Sequence, residues 1–516
     1  MERRLTTIIL IASITPIIIL IHYGNQLLTV IYTIIPASIA TITIINRMSK
    51  NIGKMDIKLA LAITHMYTLS LGQTEPRTLI ECISQSDEYK EYRKIFNTIL
   101  NLAINLAQGL TKAISQVAEM VKPPLKDILI RMVEAFSTTK PRDYLELEHS
   151  TIMEEYMSYL NRTIETIRLL GGVYGTFQSV AILIILVTIT MSIFLIDPQT
   201  IILSYIVSAT STIVILLAIK LVTPRDIMVY AGKDSPPHQT VRYTAIILIP
   251  TSIIIFITIQ LTIKISAIAF TSSGLTIAIT GYIARKLEKK VAKYDEYYPT
   301  LIKTIGENLS TTLNPKSALI YSTHVHLGPL KKHVEHTISW INLGLDIEKS
   351  FKLMAEETAS HTIRIMNKIL IDSIRVGAPP IQVTKTIADT TIKILETRKR
   401  RIATARGMEA IILMMHPITI LILASITNIL DKFTRLIPPT QYITLNPIPT
   451  NMINLGNIIL IYTLSIINAA TMTIVRGGYQ WRITLNIAIL LIISGIMLIA
   501  SDIITNRLLP PITIPI

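Results

Sequence analysis

The sequence predicts an all-α, polytopic membrane protein carrying two repeated helical-bundle modules on its cytoplasmic side. Three observations carry that expectation. Half of the 516 residues are hydrophobic and only 16% are charged, whereas soluble domains average about 25% charged. Mean hydropathy is +0.51, with Ile and Leu concentrated in long runs. The two long polar segments between those runs show helical periodicity and none of the short alternation that marks strands.

A span needs about 20 mostly apolar residues, because the hydrocarbon core is about 30 Å thick. The runs at 5–21, 27–45, 177–196, 200–222, 244–262, 266–284, 408–430, 455–475 and 483–505 qualify, about nine in all. The first is not expected to be a cleaved signal, since a second apolar run follows almost at once. Arg3 and Arg4 precede the first span, so the N-terminus is expected in the cytoplasm and the C-terminus outside. The connections beginning at Arg47, Lys220, Arg285 and Arg476 are basic, as inside segments should be, while the turns at 22–26 and 197–199 lack Lys and Arg. Lys264, Lys432, Arg435 and Arg507 run against this bias. Pro16, Pro36, Pro250 and Pro417 lie within spans, where each frees a backbone carbonyl that a neighbouring helix must satisfy.

These limits divide the chain into an N-terminal hairpin (1–46), a first module (47–176), central spans (177–284), a second module (285–407) and a C-terminal membrane region (408–516). Within the first module Leu125, Ile128, Leu129, Met132, Val133 and Phe136 step by three and four along one face. Ile363, Met366, Ile369, Leu370 and Ser373 do the same in the second, and such stripes bury one side of a helix.

The modules also align with each other. Glu75-Pro76-Arg77-Thr78-Leu79-Ile80 corresponds to Asn314-Pro315-Lys316-Ser317-Ala318-Leu319-Ile320, with one residue inserted. Gly109-Leu110 corresponds to Gly344-Leu345, and Lys140-Pro141 to Gly377-Ala378-Pro379-Pro380. Each copy then ends in a long helix, through Met153, Tyr156 and Met157 or through Ile387, Ile392 and Leu395, that runs into a span.

That order of features resembles the archaeal membrane platform proteins of archaella and type IV pili, relatives of the type II secretion system F component. The resemblance rests on Tyr297-Tyr298-Pro299 and the run on to Leu309, then Asn314 to Leu319 and Leu327-Gly328-Pro329-Leu330. It continues through Trp340-Ile341-Asn342-Leu343-Gly344-Leu345 and Gly377 with its prolines. The first module departs most, with Thr138-Thr139 where a glycine turn is usual, and is expected to be scaffolding. The resemblance implies a non-enzymatic platform that binds a hexameric secretion ATPase in the cytoplasm and passes its motion to pilin or archaellin subunits. A symmetric partner implies a homodimer.

The residues agree that ATP is handled elsewhere. A phosphate loop needs Gly-x-x-x-x-Gly-Lys followed by Ser or Thr; the Gly-Lys pairs at Gly53 and Gly232 are followed by Met55 and Asp234. Arg398, Lys399, Arg400 and Arg401, with Arg406 behind, form a basic cluster before the seventh span. They set topology and attract anionic lipid at about 1 kcal/mol each, and are the candidate docking patch for an acidic face of the ATPase. Net charge is +15 but aromatics are only 6%, so nucleic acid is not an expected partner. His324, His326, His333 and His336 have metal-like spacing, yet a solvated face is expected and no metal, cofactor or catalytic residue is assigned. Cys82, the only cysteine, is expected to be a small buried apolar group. His416, beside Pro417, is expected to be hydrogen-bonded within the bundle. The alternative function is a polytopic transporter, which would carry its repeats inside the membrane; a third is a tethered polyanion binder, whose affinity would collapse with salt.

Overall fold

The computed structural model describes residues 55–105, 108–137, 141–191, 198–224, 226–312, 314–436 and 450–509. The runs at 5–21 and 27–45, with Pro16 and Pro36, lie outside the described residues. Among the described residues the chain is helical without strands, apart from one isolated pairing of Val229 with Ser360. Among the same residues 7 helices are long and apolar enough to cross a membrane, and they correspond to the seven remaining apolar runs.

The repeat is visible helix by helix. The first copy runs α1 (Ile57–Ser70), α2 (Pro76–Gln85), a 3-10 turn at Asp87–Tyr89, α3 (Lys90–Ile104), α4 (Leu110–Met120), α5 (Leu125–Ser137) and α6 (Pro141–Met191). After the membrane helices α7 (Pro198–Val222) and α8 (Pro236–Thr262), the second copy runs from the far half of α9 (Ser266–Thr312). It continues through α10 (Pro315–Ser322), a 3-10 turn at Gly328–Leu330, α11 (Lys331–Asn342), α12 (Ile347–Thr358), α13 (His361–Arg375) and α14 (Pro380–Leu436). Membrane helices α15 (Thr450–Arg476) and α16 (Ile483–Leu508) follow. Both α2 and α10 open on proline, whose fixed φ and missing N–H suit the first helical turn. In α10 the Asn314 side chain also accepts from the Lys316 N–H. Gly109 and Gly344 hold φ of +81° and +88° before α4 and α12, a conformation that costs other residues roughly 1 kcal/mol or more.

Among the residues that carry the resemblance, Tyr298 and Gly328 are packing residues, whereas 342–345 are exposed. Tyr298 is buried and its hydroxyl donates to Asn367 Oδ1 at 2.8 Å, while Asn367 Nδ2 donates to the Phe351 carbonyl. One side-chain pair thus fixes α9, α12 and α13 together. The Tyr297 ring lies flush on Gly328, where an added Cβ would come within 2.5 Å of it.

The two modules share one core. Leu59, Ile63 and Met66 of α1 belong to the same buried cluster as Ile363, Met366, Ile369 and Leu370 of α13. α1 is buried almost all round, because α2, α6, α13 and α14 all pack on it, and its buried Thr64, Thr68 and Ser70 hydroxyls donate to carbonyls of their own helix. Arg364 of α13 pairs with Glu88 of the first module, and Arg142 donates to Gln382 across the same seam. Both modules therefore lie on one side of the spans.

At the three boundaries within the described residues no linker separates module from membrane. The divisions at 176/177, 284/285 and 407/408 fall inside α6, α9 and α14, which are 51, 47 and 57 residues long. At 1.5 Å per residue these are rods of about 70–85 Å, of which about 30 Å crosses lipid. At the far end, Lys432 departs from the charge bias for a local reason: its Nζ donates to the carbonyls of Thr505 and Leu509 at the end of α16, where cations are favoured.

The shared core also predicts a pH response. His149 stacks on Tyr67 with ring centroids 5.4 Å apart, and its Nδ1 lies 3.1 Å from Thr64 Oγ1. Burial, helped by Lys393, holds His149 down at about 4 from an ordinary 6.5. The unfolded chain takes the proton first, so stability is full above about 6.5 and declines as pH falls through about 4. His149→Gln is expected to flatten that part of a melting-temperature profile; an unchanged slope would assign it to other groups.

Candidate functional site: a buried ionic junction

The basic cluster at 398–406 does not form one surface. Residues three apart share a helix face, and Arg398 and Arg401 both turn inward. Arg398 Nε donates to both oxygens of Asp226 at 3.0 and 3.1 Å, and its Nη1 donates to Asp295 Oδ2 and Thr362 Oγ1 at 3.0 Å. Its Nη2 reaches the Ile227 carbonyl at 3.3 Å. Asp295 is fully buried, and its other oxygen accepts from Ser360 Oγ, which itself accepts from the Ile363 N–H at the start of α13. One guanidinium thus joins α9, α13, α14 and the segment before α8. Burial pushes the Asp295 carboxyl up to about 6 against the pull of Arg398.

Arg401 closes the membrane side of this junction. It donates to the carbonyls of Ile474, Val475 and Pro224 at 2.8–2.9 Å, satisfying the end of α15, where a helix leaves carbonyls without partners. The turn that follows is fitted around it. A Cβ on Gly477 would lie 2.7 Å from the Arg401 guanidinium, and one on Gly478 would lie 2.5 Å from Glu288 Oε1. Glu288 also accepts from Arg482 at 2.7 Å, Glu409 pairs with Arg476 at 3.2 Å, and Tyr479 OH meets His238 Nδ1 at 2.9 Å. The arrangement fastens membrane helices to the second module.

The docking assignment is corrected accordingly: Arg398 and Arg401 are interior fasteners, and Lys399, Arg400 and Arg406 are exposed. Lys399 has a 3.6 Å pairing with Glu296. Along α9, Arg285, Lys286, Lys289, Lys290 and Lys293 are exposed as well. Their spacing of one, three, one and three along the helix was the available signal for a single basic face.

Further groups are brought together. Inside the spans His416 is fully buried, with Nε2 3.1 Å from Ser494 Oγ and Nδ1 accepting from Asn468 Nδ2 at 3.1 Å. Tyr174 OH donates to Asn468 Oδ1, so the set ties α6, α14, α15 and α16 together as hydrogen-bonded structure. Of the four spaced histidines, His333 and His336 converge on Glu357, at 3.1 and 2.8 Å. His324 is exposed, and His326 packs against Tyr297. A second cluster joins His65, Cys82 and Asp372. Cys82 packs against the hydrophobic core but is only partly buried and has polar partners, which corrects in part the expectation of a buried apolar group. Burial pushes its thiol up to about 12. Burial also works to raise Asp372, but hydrogen bonds from His65 and Lys368 outweigh it and hold the carboxyl at about 2.

No family model matches the sequence, and no solved structure matches it. The chain is similar to Flagella accessory protein J of Methanocaldococcus jannaschii. Identity is 25% over 244 residues, covering 45% of this chain and 43% of that protein. The match therefore spans less than half the length of that relative.

Sequence reasoning missed Asp226, Asp295, Glu288 and Arg482. Each is an ordinary isolated charge along the chain, and its importance arises only from partners far away in sequence. Asp295 and Arg398, for example, are separated by 103 positions.

Proposed function

We propose that this chain is a non-enzymatic membrane platform for assembly of an archaellum or archaeal type IV pilus. Two repeated bundles fused into one core, continuing unbroken through α6, α9 and α14 into the spans, carry the reading. Such a body moves as a unit, so a push on either bundle is delivered to the membrane helices. Similarity to a protein named as a flagella accessory protein supports the archaellum branch. The side bearing the modules also bears the basic connections, which the positive-inside bias assigns to the cytoplasm. There a hexameric secretion ATPase would meet the exposed face of Lys399, Arg400 and Arg406, and pilin or archaellin subunits would meet the spans.

The test is co-purification of the detergent-solubilised chain with the secretion ATPase of the same cell. Wild type is expected to retain it, and the combined Lys399→Glu, Arg400→Glu, Arg406→Glu variant to lose at least tenfold, about 1.4 kcal/mol. Retention by the variant would remove these three residues from the contact. Failure of the wild type to bind any such ATPase, with filament assembly intact in a deletion strain, would end the platform reading.

A further inference from the structure

Two helices of the first module and one of the second converge where neither repeat alone has a site. His65 lies on α1, Cys82 on α2 and Asp372 on α13. His65 Nε2 is 3.3 Å from Asp372 Oδ2 and 3.8 Å from Cys82 Sγ, and Cys82 Sγ is 3.5 Å from the same Asp372 oxygen. A tetrahedral zinc ion with bonds of about 2.0–2.3 Å holds neighbouring ligand atoms about 3.3–3.6 Å apart. Two of the three separations fall in that range and the third, at 3.8 Å, exceeds it by a few tenths of an ångström, so the atoms come close to one face of that tetrahedron.

The surroundings suit a metal as well. His65 Nδ1 lies 3.4 Å from the hydroxyl of buried Tyr89, which also reaches the Leu61 carbonyl. With Tyr89 donating to that carbonyl, its oxygen accepts the Nδ1 proton and leaves the Nε2 lone pair facing the cluster. Such an outer partner fixes the ring of a metal-binding histidine. Thiolate, imidazole and carboxylate together favour zinc over calcium or magnesium, which take oxygen ligands. Lys368 Nζ lies 3.0 Å from Asp372 Oδ2 and its side chain is 35% exposed, so the cation now holding that oxygen can swing into solvent.

We propose that His65, Cys82 and Asp372 form a zinc site that staples the first module to the second. Zinc takes the three side-chain atoms and a water at the open corner. The thiol proton passes to solvent and Lys368 withdraws. The site goes beyond the filament reading and stands or falls without it.

Cys82 is the single cysteine, which makes a thiolate signal specific to this position. The purified full-length chain, stripped with chelator and kept reduced, is titrated with cobalt(II). A thiolate-to-cobalt charge-transfer band is expected at one equivalent and should disappear on adding one equivalent of zinc. His65→Gln and Asp372→Asn are expected to raise the cobalt needed at least tenfold. Lys368→Gln, which removes only the competing cation, is expected to lower it several-fold. The His333, His336 and Glu357 cluster has no thiolate and stays silent in this readout. Absence of the band in wild type would overturn the proposal, as would a band of unchanged affinity in both ligand variants. A Lys368→Gln protein needing as much cobalt as wild type, or more, would remove Asp372 from the ligand set and overturn the three-residue site.

Discussion

Arg398→Met is expected to destabilise the protein by about 3–5 kcal/mol, the cost of removing one partner from a buried ion pair. The loss is large because two carboxylates depend on one guanidinium: Asp226 takes both oxygens to it, and Asp295 is fully buried beneath it. Total stabilities are only about 5–15 kcal/mol, so most of the purified variant should be lost to aggregation or melt well below wild type. Lys399→Met, one residue along but exposed, should change stability by less than about 0.5 kcal/mol. The pH dependence gives the mechanism away. Burial already raises the Asp295 carboxyl to about 6, and Arg398 is the charge that pulls it down, so without the arginine it moves higher. A raised carboxyl binds its proton more tightly in the folded state, so stability rises as pH falls through the folded value. Melting of Arg398→Met should therefore recover as pH is lowered through and below about 6, and Asp295→Asn in the same chain should restore stability at neutral pH. Equal melting temperatures for Arg398→Met and Lys399→Met would show that the junction bears little of the fold.

This junction also marks where the sequence stopped being readable. The 7 spans within the described residues were legible because lipid imposes about 20 consecutive apolar residues, a requirement written in one dimension. The repeat was legible through Pro76 and Pro315, Gly109 and Gly344, since helix starts and left-handed positions narrow the choice of residue. The run at 398–401 read as a surface because charge runs usually are solvated, and nothing local announces that Asp226 and Asp295 wait 172 and 103 positions away. Helical spacing alone could have separated Arg398 and Arg401 from Lys399 and Arg400, but only the partners decide which pair faces inward. The same holds for Cys82, whose neighbours His65 and Asp372 lie 17 and 290 positions away. Continuity was hidden for the opposite reason. A change from apolar to polar composition looks like a boundary, yet α6, α9 and α14 pass through it unbroken, because a helix needs no change of backbone to change solvent.

Whether force can travel along α9 depends on its grip on α16, and two glycine substitutions should separate tight seams from open ones. Gly281 of α9 faces the α16 backbone: a Cβ there would sit 2.4 Å from Leu485 Cα and 2.5 Å from its nitrogen. Gly495 of α16 is matched the other way, 2.6 Å from the Ala267 carbonyl. In lipid, helices gain little from hydrophobicity and associate through close packing of small residues, so the seam cannot open without losing what holds it. Gly281→Ala must push two backbones apart and is expected to cost about 1–3 kcal/mol, and Gly281→Leu more. Gly172 of α6 is also a helical glycine, but an added Cβ meets nothing within 4 Å. Gly172→Ala relieves the helix-propensity penalty and should stabilise by up to about 1 kcal/mol. Thermal unfolding in one detergent reads both, and a distance probe between α9 and α16 should widen only in the Gly281 variants. Gly281→Ala melting at or above wild type would mean that α9 can slide on α16, and a sliding helix could not carry a push from the second module into the membrane.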